Sequence, residues 1–321
     1  MLAWAKRKIT MRIDSVIDRI NRKINLHNLQ EQVSKINTLL QPLLIEQNKT
    51  VENNISKYLP LALSPTSDRV YTHTKDGHRI FLDLYDLHMT CHVLEHGIWE
   101  EHVRYVFKKF LKPAAIVADI GANIGLHALY LGGLVGPGGK VYCFEPAPRT
   151  AAILKTNIDI NGYNAWVHVI EKAISNENET REFEYLPTQA GMSSFKSTND
   201  KAQEKITVET TTLDSFFKNN MKIDLLKIDI EGFEYEALLG AKKLFDYNEN
   251  LVVLLEYRPD IMRKLLGENS ISKLFSFFKE RAYKVYATSW PIEKMVYYEF
   301  DDPALTNNSF DLVFTKEKVM D

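Results

Sequence analysis

The sequence predicts an α/β protein with a doubly wound, mostly parallel seven-stranded sheet whose last strand is antiparallel, preceded by a separate helical segment. Three observations carry this expectation. From about residue 115 onward, short apolar runs alternate with helix-length stretches. The run at 115–120 passes through a glycine-containing turn into a helix-like segment, and the next run, 140–145, ends on the acid Glu145. The final run, 309–315, follows the previous one without a clear helix between, which favours an antiparallel return.

The elements follow in order. Residues 1–57 are a helical, coiled-coil-like segment: Ile13, Ile17, Ile20 and Ile24, then, after a slip near 25–28, Leu29, Val33, Ile36, Leu40 and Leu43, recur at heptad-like steps, with Pro42 near the end to kink or stop the helix. Its first part is basic (Lys6, Arg7, Lys8, Arg12, Arg19, Arg22, Lys23), so three uses compete: oligomerisation or partner docking, a peripheral contact with an anionic membrane, or packing on its own domain. Residues 58–111 hold a Pro-containing linker, a hairpin (70–74 and 79–82 around Lys75-Asp76-Gly77) and a helical lead-in near 103–111. Residues 112–321 form the main domain. Strands are expected near 115–120, 140–145, 166–170, 224–229, 251–257, 283–288 and 309–315, and helices near 124–133, 148–160, 233–245 and 271–281. Lys205–Thr212 alternates in the strand manner and can pair with Arg181–Tyr185.

Bulk composition narrows the function classes. A net charge of −2, with acids outnumbering bases after residue 60, disfavours a nucleic-acid partner. Two cysteines, Cys91 and Cys143, are too few for a disulfide framework or a cysteine zinc site and point to a reducing, cytoplasmic location. No apolar signal core and no membrane-length apolar run is visible, so any membrane association would be peripheral, at the inner membrane.

The turn Asp119-Ile120-Gly121-Ala122-Asn123-Ile124-Gly125 is not a dinucleotide fingerprint. Counted from Gly121, the second and third glycines of G-x-G-x-x-G fall on Asn123 and Leu126. Asp119 ahead of the turn repels a pyrophosphate but accepts from an ammonium group. Glu145, as a two-oxygen acceptor, suits ribose hydroxyls. S-adenosylmethionine, which has an amino-acid end, a sulfonium and a ribose but no phosphate, fits both. A second cluster, Lys227-Ile228-Asp229-Ile230-Glu231-Gly232-Phe233-Glu234, places charge at the carboxyl end of another strand, where open α/β sheets build their sites.

D-I-G-A-N-I-G, F-E-P, T-T-L-D-S and K-I-D-I-E-G-F-E, in this order, resemble the FkbM-type family of S-adenosylmethionine-dependent methyltransferases over about residues 85–257. The resemblance implies a Rossmann-like class I methyltransferase fold and oxygen methylation, often of sugars in natural products or cell-surface glycans. It also implies a cofactor-binding set of Glu100, Asp119, Gly121, Asn123, Gly125, Glu145 and Ala173, and a methyl-transfer site facing Lys227, Asp229 and Glu231. His92 and Gly97-Ile98-Trp99-Glu100 share in it.

Methyl transfer to a hydroxyl needs alignment and a base. The candidates are His92, Asp229 and Glu231, of which His92 or Asp229 is favoured, with Lys227 steadying developing charge or a carboxylate. Asp229, Glu231 and Glu256 could instead hold magnesium or manganese. His88, His92 and His96 share a helical face, but Gly97 and the lack of H-E-x-x-H favour a substrate-facing or packing role over zinc. His127 reads as a packing or capping residue. Ser193 and Ser194 are possible acceptor contacts, and Trp290, Tyr297 and Tyr298 a sugar platform or core. The resulting expectation is a homo-oligomeric O-methyltransferase acting on a sugar of a glycan such as a bacterial surface polysaccharide, with residues 1–57 tethering it to itself or to glycan-assembly enzymes. The rivals are an NAD-dependent sugar oxidoreductase and a non-catalytic S-adenosylmethionine-binding scaffold.

Overall fold

A computed structural model describes residues 62–63, 68–195, 204–218, 221–289 and 292–319. The chain divides into two compact units, Met1–Ser67 and Asp68–Asp321. In the first, Ala62–Leu63 is a short strand; the heptad-like segment 1–57 lies outside the described residues, as does Trp290.

The second unit opens with the expected hairpin, β1 (Arg69–His73) and β2 (Arg79–Asp83), with Tyr71 opposite Phe81. Val70, Thr72, Ile80 and Leu82 point inward, the period of two that a half-buried strand requires. Helix α1 (Leu87–His96) starts where Asp86 Oδ1 accepts the Met89 N–H and stops at Gly97 in the left-handed region. Helix α2 (Glu101–Phe110) follows. Then come β3 (Ile116–Ile120), α3 (Leu126–Val135), β4 (Lys140–Phe144), α4 (Pro148–Ile160, with proline in its first turn) and β5 (Val167–Ile170). Asn157 on α4 is fully buried. Its amide exchanges two hydrogen bonds with the Phe81 backbone and donates to Ile124 O at 2.8 Å, tying the hairpin to the glycine turn.

A side sheet is built from β6 (Ala173–Ile174), β7 (Thr180–Tyr185) and β8 (Glu204–Thr211). Strands β7 and β8 are antiparallel, as their alternation predicted, and β6 runs parallel to β8. The chain continues through α5 (Leu213–Phe216), β9 (Leu225–Ile228), α6 (Glu234–Leu239), α7 (Lys242–Tyr247), β10 (Val252–Tyr257), α8 (Pro259–Leu266) and α9 (Ser270–Lys279). It closes with β11 (Lys284–Ser289), β12 (Ile292–Tyr298), α10 (Pro303–Asn307) and β13 (Phe310–Thr315).

The main sheet runs β12-β11-β13-β10-β9-β3-β4-β5. Strands β5, β4, β3, β9 and β10 are parallel. Strand β13 is antiparallel between β10 and β11, as expected of the last strand. The order reverses between β3 and β9, which opens a crevice at their carboxyl ends. The core beneath is mainly apolar: Ile120, Phe144, Leu226, Ile228, Leu255 and Phe314 are all buried.

Three details depart from the sequence reading. The sheet has eight strands rather than seven. The extra strand, β12, lies at the edge, where Val296 and Tyr297 are both about half exposed, so its burial does not alternate and the period of two fades. The helix expected over 233–245 is two short helices. A Cβ on Gly240 would sit 2.3 Å from Ser175 O, so the backbone there packs directly on a neighbouring segment. Helix α8 was not anticipated, although Pro259 at its start and Gly267 at its end are the usual punctuation. Among the described residues no helix is long and apolar enough to cross a membrane.

Candidate active site

The crevice between β3 and β9 is floored by the glycine turn. The N–H groups of Gly121 and Ala122 both donate to Phe144 O at 3.0 Å, which locks the turn to the end of β4. Gly121 has φ +81°, and a Cβ there would lie 1.9 Å from Asp229 O. Glycine is therefore needed so that the backbones leaving β3 and β9 can touch. Gly125 answers a packing demand instead, since its Cβ would meet Leu154 Cδ1 at 2.5 Å. Glu145 is held by two backbone donors, Asn123 N–H and Ala147 N–H, each at 3.0 Å. Burial nevertheless pushes its carboxyl up to about 7.

Lys227 sits opposite Asp119 in the β3–β9 register. Its ammonium lies 2.9 Å from Asp229 Oδ2 and 3.7 Å from Asp119 Oδ1. Burial works against this charge, but Asp229, Asp119 and Glu100 outweigh it and push the lysine up. Burial likewise opposes ionisation of Asp229, and Lys227 overrides it, so the Asp229 carboxyl is held below its ordinary value. Asp119 is fully enclosed and stands beneath the floor, facing Lys227, rather than in the cavity.

The exit from β9 is shaped by Glu234, whose Oε1 accepts from Gly232 N–H at 2.9 Å and Ile230 N–H at 3.3 Å. That clamp sets Glu231 in the left-handed region, φ +54°. Glu100 and Asn123 adopt the same uncommon conformation, at φ +47° and +48°, and all three line one cavity, as strained residues at functional sites do. Glu231 is pushed up to about 8, by burial first and then by Asp229. Burial also raises Glu256 well above the ordinary carboxylate range, and its Oε1 lies 3.5 Å from Arg258. Burial and then Asp229 raise Glu100 to about 7. Ligand atoms of Asp229, Glu231 and Glu256 lie within 4.8 Å of one another.

The cavity measures about 360 Å³. Of the residues expected from the sequence, Lys227, Asp229, Glu231, Glu100, Gly121, Asn123, Glu145 and Ala173 line it; Asp119 and Gly125 support it from outside. His92 is exposed and does not line the cavity. Its neighbour His88, one turn earlier on α1, does, and the Trp99 ring packs edge-on against both, at 6.0 and 5.0 Å between centroids. The one three-residue group among the described residues with metal-ligating geometry is the carboxylate set above, not the three histidines. Ser193 lines the cavity with its hydroxyl accepting from Leu186 N–H, while Ser194 is buried and pairs with Glu184. Tyr297 and Tyr298 lie away from it on β12.

Sequence reasoning gave no role to several wall residues. Trp99 and Arg258 are both in the lining. Asp86 joins α1 to the 187–192 turn by accepting from both Met89 N–H and Ala190 N–H. Glu234 carried a readable signal, an acid at the start of a helix two residues after Gly232.

The cavity's acids (Asp86, Glu100, Glu145, Asp229, Glu231, Glu256) outnumber its cations (Lys172, Lys227, Arg258). Acceptor oxygens in this number suit a ligand that brings ammonium and hydroxyl donors. The small turn beside Gly121 and the buried Glu145 acceptor fit the ribose and amino-acid ends of S-adenosylmethionine.

Comparison with known proteins agrees. Residues 119–285, more than half of the chain, match the methyltransferase FkbM domain. Methyltransferase sdnD of Sordaria araneosa is 27% identical over 196 residues, 52% of this chain and 75% of that protein. The 2-O-methyltransferase NoeI of Sinorhizobium fredii is 28% identical over 44% of this chain and 63% of its own length. The 31-O-demethyl-FK506 methyltransferase FkbM of Streptomyces tacrolimicus is 35% identical over 40% of this chain and 47% of its own length. The matched region thus spans between about half and three quarters of these relatives. The domain match, the sheet order and the acid-lined crevice at its switch point lead to one assignment: the chain belongs to the FkbM-type family of S-adenosylmethionine-dependent methyltransferases.

Proposed function

We propose that this protein methylates a hydroxyl of a sugar, in a glycan such as a bacterial surface polysaccharide, with Glu231 as the base. The observation that carries the reading is a single cavity bounded by the Gly121 turn and Glu145, the Lys227–Asp229–Glu231 strand end, and the Trp99 ring. The printed names of two relatives refer to oxygen methylation, which supports the reaction type.

When bound, S-adenosylmethionine supplies an electrophilic methyl group on a sulfonium. Glu145 and the Gly121 turn hold the ribose side. Trp99, braced by His88 and His92, offers a flat apolar face to a sugar ring. Glu231 takes the hydroxyl proton, because its carboxyl titrates near neutrality whereas Asp229 is neutralised by Lys227 and is a poor base. His92 lies off the cavity and is assigned a bracing role.

A magnesium- or manganese-assisted version has one observation in its favour, the convergence of Asp229, Glu231 and Glu256. Lys227 already neutralises Asp229, and burial raises Glu256 well above the ordinary carboxylate range, against the ionised form that a metal needs, so we favour proton transfer to Glu231, with turnover unaffected by EDTA. Residues 1–57 are proposed to join copies of the chain or to dock it to glycan-assembly partners at the inner membrane face.

The test is incubation with methyl-labelled S-adenosylmethionine and a panel of glycans, small sugars and non-sugar alcohols. Label entering sugars, with KM for the sugar rising about tenfold in Trp99→Ala, is expected. Label entering only non-sugar alcohols would remove the glycan assignment. NAD-dependent oxidation of a sugar, or cofactor binding without any turnover, would favour the oxidoreductase or the scaffold.

A further inference from the structure

His127 has no part in the chemistry above, yet it is buried beside it. It stands in the first turn of α3, two residues beyond Gly125, with 6% of its surface exposed. Its Nε2 lies 2.8 Å from Glu100 Oε2, its Nδ1 is buried without a partner, and its ring meets the Phe107 ring edge-on at 5.5 Å. Burial, followed by Lys227, lowers it to about 3, so the imidazole is neutral. With an ionised Glu100, its single proton therefore sits on Nε2 and donates to the carboxylate.

Glu100 is held by two side chains, the neighbouring Trp99, which donates to it, and His127. It precedes α2 in a left-handed conformation with no side-chain cap, and it enters the cavity next to Lys227 and Asp229. Glu145, across the Gly121 turn on the β4 side, occupies the position for the ribose. An extended cofactor anchored there directs its amino-acid end to the other side of the turn, where Glu100 stands. An ammonium group donates to acceptor oxygens, and an ionised carboxylate is the strongest of these. Asp119 is enclosed, Asp229 is committed to Lys227, Glu231 is the proposed base and burial raises Glu256 well above the ordinary carboxylate range, which leaves Glu100.

We propose that His127 is a positioning residue: its Nε2–H holds the Glu100 carboxylate against the α-ammonium group of bound S-adenosylmethionine. The proposal rests on the cofactor reading and adds a residue to it.

The experiment is calorimetric titration of the full chain with S-adenosylhomocysteine, which carries the ammonium, and with 5′-methylthioadenosine, which lacks the whole amino-acid end. In His127→Ala, affinity for S-adenosylhomocysteine is expected to fall about ten- to a hundredfold while that for 5′-methylthioadenosine stays unchanged. His127→Gln, whose amide nitrogen can replace Nε2–H, restores most of the loss. Glu100→Gln shows the same selective loss, and adding His127→Ala to it makes little further difference. An equal loss for both ligands would mean that His127 only supports the fold, and an unchanged S-adenosylhomocysteine affinity would show that Glu100 is positioned without it; either overturns the proposal. Wild-type protein that binds neither ligand would instead overturn the cofactor reading, and the proposal with it.

Discussion

Lys227 Nζ and Asp229 Oδ2 are 2.9 Å apart at the carboxyl end of β9, with the lysine side chain only 4% exposed. Two positions along one strand place side chains on the same face, and Asp119 opposite on β3 completes a triad around the buried lysine. Lys227→Met leaves Asp119 and Asp229 without their cation. Removing one partner of a buried ion pair costs about 3–5 kcal/mol, so a fall of that size in urea unfolding is expected, together with loss of turnover. An unchanged midpoint would show that the two acids share protons instead.

Gly121 is the contact point of β3 and β9. Gly121→Ala must move the Asp229 carbonyl, since the new Cβ would be 1.9 Å from it, and must also hold φ +81°. A loss of at least about 2 kcal/mol in stability is expected, with S-adenosylhomocysteine binding abolished. Gly136, where a Cβ meets nothing within 4 Å although φ is +64°, serves as the control for strain alone.

Glu145→Ala is expected to weaken S-adenosylhomocysteine binding by about ten- to a hundredfold, the worth of charge-assisted hydrogen bonds to two hydroxyls. NAD is expected not to bind either form. Tight NAD binding by the wild type would show that the acid-rich lining tolerates a pyrophosphate and would unseat the cofactor assignment.

The raised carboxyls set a pH dependence. Glu231 is pushed up to about 8, and Glu100 and Glu145 to about 7, from an ordinary 4.5. Between 4.5 and 8 the folded protein therefore holds protons that the unfolded chain has released, so stability without cofactor declines as pH rises through that window. Thermal unfolding across pH 5 to 8 checks this, and Glu231→Gln should flatten the slope. Turnover should run the other way, rising with pH toward about 8 as Glu231 ionises, and Glu231→Gln should lower kcat by about 10²–10⁴. A pH–rate profile unchanged by that substitution would transfer the base role to another group.

Deletion of residues 1–57 tests the proposed assembly role. The heptad-like steps predict that the truncated protein sediments at a lower oligomeric state than the full chain. Equal sedimentation, with unchanged partition onto anionic vesicles, would leave that segment without either proposed use.

Much of this protein was readable before folding, because the signals are local. Apolar runs and punctuation located β3, β4, β9 and β10 to within a few residues, and the short strand-end motifs named Gly121, Asn123, Glu145, Lys227, Asp229 and Glu231, all of which line one cavity. A parallel sheet forces that outcome: strands that begin on one side end on the other, so their terminal residues gather at one edge. Tertiary contact decided the rest. No spacing indicates that Gly125 packs on Leu154 while Gly121 meets Asp229, that Trp99 stands between His88 and His92, or that His127 reaches Glu100 across 27 positions of sequence. The balance of charges is equally out of reach of the sequence. Asp229 and Glu231 are two residues apart and read alike, yet one is pinned down by Lys227 and the other is lifted by burial. Protonation depends on what surrounds a carboxyl in three dimensions, and only the fold supplies those neighbours.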